Sequence, residues 1–261
     1  MGNWSRYTAA ASLSMLLMLQ GCSYIGLYGG DKEAKPEPGA EDVFREGEDL
    51  LAKGKYDQAR EAYAKVKEHD PEKFYDPLVQ IRLGDSYYEE GRYDEAEVEY
   101  QRFLDMRPHN KAAAYVKYQL GMCNFKQIGK PDRDPRFAMD SVKHFSELLR
   151  DYPDNTYSEE AGEKLKIAKS NLAEHEYVVG VYYMKRGSYT SAVRRLKGIT
   201  GNYPGSKVEP DALYALADAY IRLGQYDPAK ATLAVLYQEY PTHELSEKAR
   251  KDLAPEIPAE Q

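Results

Sequence analysis

Gly91-Arg92-Tyr93-Asp94-Glu95-Ala96-Glu97-Val98-Glu99-Tyr100-Gln101-Arg102-Phe103-Leu104-Asp105-Met106-Arg107-Pro108 decides how the chain is read. It holds a Gly-x-Tyr turn, an alanine three residues after the tyrosine, a large side chain four later and a proline eight after that. The same pattern returns as Gly54, Tyr56, Ala59, Tyr63 and Pro71, as Gly187, Tyr189, Ala192, Leu196 and Pro204, and as Gly224, Tyr226, Ala229, Leu233 and Pro241. A degraded copy keeps Ser141, Phe145, Leu148 and Pro153. Internal repetition at this period is the mark of a solenoid, whose units bury a continuous core only by stacking.

Upstream of each turn sits a large, small, aromatic set: Leu83, Gly84 and Tyr87; Leu120, Gly121 and Asn124; Val179, Gly180 and Tyr183; Leu216, Ala217 and Tyr220. At 100° per residue these fall on one helical stripe, and a glycine or alanine at the eighth place lets a second helix approach. The alanine of the second helix does the same from the other side, and the proline ends the hairpin because it cannot continue a helix. Together these resemble the tetratricopeptide signature, so we expect an all-α superhelix of about five helical hairpins. The prolines at 71, 108, 153, 204 and 241 lie 37, 45, 51 and 37 residues apart, so two joints are stretched. One holds the breaker-rich loop Gln127 to Pro135. The other, Ser158 to Arg186, lacks proline and reads as one long helix dividing the array into two lobes.

The amino terminus is of a different kind. Arg6 precedes Tyr7 to Leu19, an uncharged run of 13 residues, shorter than the roughly 18 that a spanning helix needs. It reads as an export signal over residues 1–21. Leu19-Gln20-Gly21-Cys22 then resembles a lipobox, in which Cys22 becomes the acylated amino terminus. A diacylglycerol with a third acyl chain exceeds the two hydrophobic signals that stable anchoring requires. Ser23, in place of the aspartate that retains many lipoproteins on the inner membrane, directs the expectation to the outer membrane of a Gram-negative bacterium. Residues 22–39 are rich in glycine, proline and charge and read as a tether, which as a random coil would span on the order of 20 to 25 Å.

Charge and cysteine usage narrow the function. Losing Arg6 from the 36 basic residues leaves 35 against 43 acidic, a net charge of −8, which lacks the electrostatic footprint of a nucleic-acid binder. Cys123 is the one cysteine besides Cys22, so with Cys22 acylated no disulfide forms within the mature chain. His69, His109, His144, His175 and His243 are scattered, with no metal-ligand spacing, and read as mostly solvated. There is no P-loop, no Gly-x-Ser-x-Gly elbow and no thiolate zinc motif. We expect a protein-binding scaffold with no catalytic residue, metal or cofactor.

The binding surface is read from two further columns of the first helices. The fifth place holds Phe44, Ile81, Tyr118, Tyr177 and Tyr214, and the twelfth Leu51, Tyr88, Phe125, Met184 and Ile221. The two columns lie within about 20° of each other on the helix and roughly 100° from the consensus stripe. They either pack against the next unit or line an apolar groove for an extended peptide, with Phe44, Ile81, Tyr88, Tyr118, Phe125, Tyr177 and Tyr214 as its lining and Glu48, Asp85 and Asp218 as its rim.

The lipobox, tether, five repeats with a break after the third, Asp132-Arg133-Asp134-Pro135, and Leu172-Ala173-Glu174-His175-Glu176-Tyr177 through Tyr182-Tyr183-Met184-Lys185-Arg186-Gly187 to Pro204 together resemble the BamD family. These are tetratricopeptide lipoproteins of the β-barrel assembly machinery, and the likeness covers nearly all of the mature chain. It implies a periplasm-facing scaffold on the outer membrane, for assembling and inserting β-barrel proteins there. The carboxy-terminal lobe would dock on the POTRA domains of a BamA-like subunit, and the amino-terminal lobe would receive unfolded outer-membrane substrates. Other assembly-machinery lipoproteins are implied as further partners. The family's docking arginine falls in the stretch of Arg194 and Arg195, with Arg195 the closer match. A short loop before Asp132 and a Pro-rich tail over residues 255–261 depart from the family, so partners touching those regions are not implied. The expected divisions are therefore 1–21 signal, 22–39 tether, 40–157 first lobe, 158–254 second lobe and 255–261 tail. The alternative is another tetratricopeptide lipoprotein, such as a type IV pilus secretin pilotin, although those arrays keep more regular steps of about 34 residues.

Overall fold

The computed structural model describes residues 39–258, so the expected signal, Cys22 and nearly all of the tether lie outside the described residues. Five helical hairpins follow one another: α1 (Ala40–Ala52) with α2 (Tyr56–His69), α3 (Asp76–Glu89) with α4 (Tyr93–Met106), α5 (Ala113–Lys126) with α6 (Arg136–Asp151), α7 (Ser158–Lys185) with α8 (Tyr189–Asn202), and α9 (Glu209–Arg222) with α10 (Tyr226–Glu239). A short α11 (Glu244–Asp252) and a 3₁₀ turn, η1 (Ala254–Glu256), close the array. Among the described residues there is no strand, and no helix is long and apolar enough to cross a membrane. Each helix packs on the next in sequence, so contacts are local throughout.

Two sequence devices set the hairpins. Gly54, Gly91, Gly187 and Gly224 all take positive φ, 69 to 83°, just past the end of a first helix. In the first of these, Gly54 N–H donates to Leu51 O (2.9 Å) and Lys55 N–H to Leu50 O (2.9 Å), and the other three repeat both bonds. This is a Schellman closure, which satisfies carbonyls the helix leaves open and which glycine alone enters without a Cβ penalty. At the other end, each second helix stops two residues before its proline. The intervening residue is forced out of the helical region by the pyrrolidine ring, with φ between −123° and −141° at Asp70, Arg107, Tyr152, Tyr203 and Tyr240.

Close approach inside the hairpins explains the small residues. A Cβ on Gly47 would meet the Tyr63 ring at 2.4 Å, on Gly84 the Tyr100 ring at 2.5 Å, on Gly121 the Phe145 ring at 2.4 Å, and on Gly180 the Leu196 side chain at 2.7 Å. Ala59, Ala96, Ala192 and Ala229 are fully buried on the facing helix. The stretched joint is a single helix, α7. Its first turns give Ala161 and Leu165 to the core around Phe145 and Leu148, whereas Ala173, Tyr177, Tyr183 and Met184 join the core around Leu196, Leu216 and Leu233. The loop before α6 also leans on this helix: Asn171 Nδ2 donates to Gly129 O (3.0 Å), and His175 Nδ1 bonds Pro131 O (2.7 Å).

The last hairpin is covered by α11, whose Ala249 is fully buried and whose Ser246 Oγ donates to Tyr240 O at 2.6 Å. Within the tail, Pro255 lies in η1 and Ile257 packs on the terminal core. A capping element of this kind is what a solenoid needs to hide its final hydrophobic face.

Candidate functional site: the first-helix columns and the Arg195 cleft

The seven residues read as groove lining are not equally free. Ile81 and Tyr118 are buried, 6% and 8% exposed. Ile81 packs with Val116 and Leu120 of the following repeat, and the Tyr118 ring stacks on Tyr157 with centroids 5.0 Å apart. The expectation of an open lining does not hold at these two, because at the fifth place the side chain meets the first helix of the next unit. Phe44, Tyr88, Phe125, Tyr177 and Tyr214 are half-buried, each laid against a core cluster with part of its surface still open. Phe44 lies 5.3 Å from the Tyr75 ring.

The expected acidic rim needs a larger correction. Asp85 is buried: its Oδ1 accepts from Tyr100 Oη (2.6 Å) and Tyr115 Oη (2.7 Å), and its Oδ2 from Arg82 Nη1 (2.8 Å). Glu48 accepts from Tyr63 Oη (2.6 Å) and from Arg82 Nε (2.8 Å). The acids thus satisfy the hydroxyls of the tyrosines that fill the first two hairpins, and Arg82 ties repeat one to repeat two. Burial, and then the neighbouring carboxylate, push the Tyr63, Tyr100 and Tyr115 phenols well above their usual range. A signal for this was present in the sequence. The acid and the tyrosine occur together in repeats one and two, whereas repeats three and four carry Met122 with Phe145 and Val181 with Leu196. In the fifth repeat Asp218 faces no tyrosine hydroxyl at that place and pairs instead with Arg222 (3.1 Å).

The histidines are also less solvated than expected. His109 is exposed, but His69, His144, His175 and His243 are half-buried. Desolvation between α4, α5 and α6 holds His144 below the usual imidazole range, with Glu147 opposing the shift and Lys143 reinforcing it. Among the described residues no group of histidine, cysteine and acid side chains has metal-binding geometry. Cys123 is fully buried, and burial raises its thiol above the ordinary range, so it is not a poised nucleophile.

Arg194 and Arg195 lie on α8 and face a cleft of about 410 Å³ that also takes in Glu176, Asn202 and Tyr203. The two differ in state. Arg194 is exposed. Arg195 is partly covered, with Nη1 donating to both carboxylate oxygens of Glu176, at 3.0 and 3.1 Å, while its buried Nε has no partner. Glu176 comes from α7, so this ion pair staples the long helix to α8.

Comparison with known proteins adds to this geometry. The YfiO family, described as outer membrane lipoprotein, matches residues 36–236. The chain is 26% identical over 240 residues to a protein of Neisseria meningitidis named "Outer membrane protein assembly factor BamD", covering 88% of this chain and 90% of that one. A Caulobacter vibrioides protein of the same name is 26% identical over 199 residues, 76% of this chain, and the match spans 65% of that relative's length. Among solved structures, the TPR2AB domain of yeast Sti1 in complex with pHSP90 superposes with a TM-score of 0.41 at 17% identity, covering 83% of this chain and 84% of that one. A fit at that level carries no argument about function.

Proposed function

Since the chain belongs to the YfiO family of outer membrane lipoproteins, we propose that it is a non-catalytic scaffold of the β-barrel assembly machinery, needed for inserting β-barrel proteins into the outer membrane. The observation that carries this is a family match running from residue 36 to 236, from before α1 into the second helix of the fifth hairpin, together with relatives named as outer membrane protein assembly factors. The described residues support a scaffold. Their buried acids and tyrosines are occupied in holding helices together, and what they present outward is helix surface. Depleting the protein in its host tests the reading. Loss of folded β-barrel proteins from the outer membrane is the expected result, and unchanged barrel levels would overturn it.

The proposal has an anchor and two working surfaces. Cys22 carries the lipid that holds the chain on the periplasmic side of the outer membrane. The first lobe, built on α1 to α6, offers the half-open aromatic column of Phe44, Tyr88 and Phe125 to unfolded substrate, with Tyr177 and Tyr214 continuing it on α7 and α9. The second lobe docks on a BamA-like partner through the Arg194 and Arg195 face. The exposed Arg194 is suited to a partner carboxylate, because a guanidinium offers donors in a fixed fork. Arg195 already holds Glu176, so a charge reversal there would replace an ion pair with two facing carboxylates and disturb α7 against α8. Arg194→Glu is the cleaner probe. Purified POTRA domains should bind the Arg194→Glu protein more weakly, with helicity unchanged; equal affinity would remove this face from the interface.

A further inference from the structure

We propose that the turn between α2 and α3 is a second membrane contact, in which Phe74, backed by Leu78, rests on the phospholipid surface and sets the orientation of the scaffold. This rests on the reading that Cys22 is acylated.

Four inter-hairpin turns share one length, each reaching the next helix five residues after its proline. At the third residue after the proline the other three carry Lys111, Thr156 and Lys207; this one carries Phe74. The turn does not need an aromatic there. Phe74 is nonetheless 74% exposed, the most exposed large hydrophobic side chain among the described residues, and Leu78 on the first turn of α3 is 44% exposed. The backbone is shaped to hold the ring out. Lys73 has φ of 58°, a conformation rare for a residue with a Cβ. The buried Asp70 carboxylate fixes the turn by accepting from Phe74 N–H (3.0 Å) and Tyr75 N–H (2.6 Å). An exposed phenylalanine on a turn held by a buried acid is a built presentation.

What it is presented to follows from where the chain begins. α1 runs away from Gly39 and α2 runs back, so the α2–α3 turn lies at the edge where the tether enters. Phe74 touches Tyr75 (5.3 Å between ring centroids), Tyr75 touches Phe44 (5.3 Å), and Ala40 packs on the same cluster. Only the 17 residues 23–39 separate Cys22 from α1, so a lipid carried at Cys22 keeps this edge of the array, and not its far end, close to the bilayer. Phenylalanine and leucine are among the side chains that interfacial segments bury at the boundary of headgroups and acyl chains. One ring would not bind a bilayer alone, but beside an acyl anchor it needs only to choose an orientation. Glu72 and Lys73 flank the ring with opposite charges, so the contact is apolar and should be insensitive to salt.

The sequence supplies its own reporter. Its single tryptophan is Trp4, within the expected signal, so the mature lipoprotein carrying Phe74→Trp has one tryptophan, at the proposed contact. The acylated Phe74→Trp protein and a Lys53→Trp control, at the opposite edge of the first hairpin, are reconstituted in phosphatidylethanolamine and phosphatidylglycerol vesicles, with and without brominated acyl chains. Both should float with the vesicles, and only the Phe74→Trp protein should show emission shifted to the blue and quenched by bromine, at low and high salt alike. Flotation of both with equal, unquenched emission would overturn the membrane contact and leave the anchor standing, and it would point to a protein partner for Phe74. Failure of both to float would overturn the anchor and this inference with it.

Discussion

At the scale of single residues, the eighth place of each hairpin shows how chemistry sets tolerance. The Tyr100 ring cannot swing away from a new methyl on Gly84, because its hydroxyl is held by Asp85. Gly84→Ala should therefore cost about 1–2 kcal/mol, the overpacking penalty less the helix-propensity gain. Gly180→Ala, which meets the more adaptable Leu196, should cost less. Gly162 lies in α7, where an added Cβ would meet nothing within 4 Å, so Gly162→Ala should stabilise by about 0.5–1 kcal/mol. Thermal melts of the three variants check the order and the change of sign. The buried tyrosines make a second prediction. Their folded-state acidities are weakened above the ordinary 10.0, so the stability they contribute is full below pH 10 and is lost as pH rises past it, where the unfolded chain ionises first. Melting temperature should fall steeply above pH 10. Tyr100→Phe should flatten that fall while costing about 1–2 kcal/mol at neutral pH, since Asp85 loses a donor.

At the scale of elements, the Schellman glycines and the prolines divide the work of making a hairpin. Gly224, at φ of 69°, closes α9 onto α10. Gly224→Ala puts a Cβ into the left-handed region and should lower stability by about 1 kcal/mol, with no change in helicity at low temperature. A larger helicity loss would mean that the turn, and not stacking, organises the last hairpin. The third hairpin lacks this device, and there Gln127 to Pro135 replaces the tight turn. Its bonds to Asn171 and His175 make the loop a strut between repeat three and the middle of α7.

At the scale of the entire array, α7 is shared by two cores, and this underlies the proposal of two lobes. The terminal cluster runs from Ala173 to Leu253 and is complete without the earlier hairpins. A fragment of residues 158–258 should thus be helical and melt cooperatively. A fragment of 39–157 lacks Ala161 and Leu165, which cover Phe145 and Leu148. Extending it to residue 169 should restore about 1–2 kcal/mol, since Leu165 is half-buried and full burial of a leucine side chain is worth about 1.5–3 kcal/mol. Circular dichroism melts of the three fragments test this. Two fragments that both fail to melt cooperatively would show the array to be a single folding unit.

The hairpins, their order, both stretched joints and the long helix were legible in the amino-acid order alone, because each depends on local chemistry: a positive φ that glycine allows, a proline that stops a helix, and a stripe repeating at 3.6 residues. The placement of the small residues was equally legible, since an aromatic side chain sixteen positions on, or twenty-four across the loop, needs their missing atoms. Exposure was not legible. Ile81 and Phe44 occupy the same column, yet the first is sealed and the second half-open, because burial depends on which neighbour stacks on a helix and not on its own periodicity. The acids Glu48 and Asp85, read as a rim, turned inward for the same reason: a buried phenol needs an acceptor, and the acceptor within reach is on the facing helix. Arg195 shows the limit most plainly, since its partner Glu176 lies nineteen residues away on a different helix, and only the packing of α7 against α8 makes them neighbours.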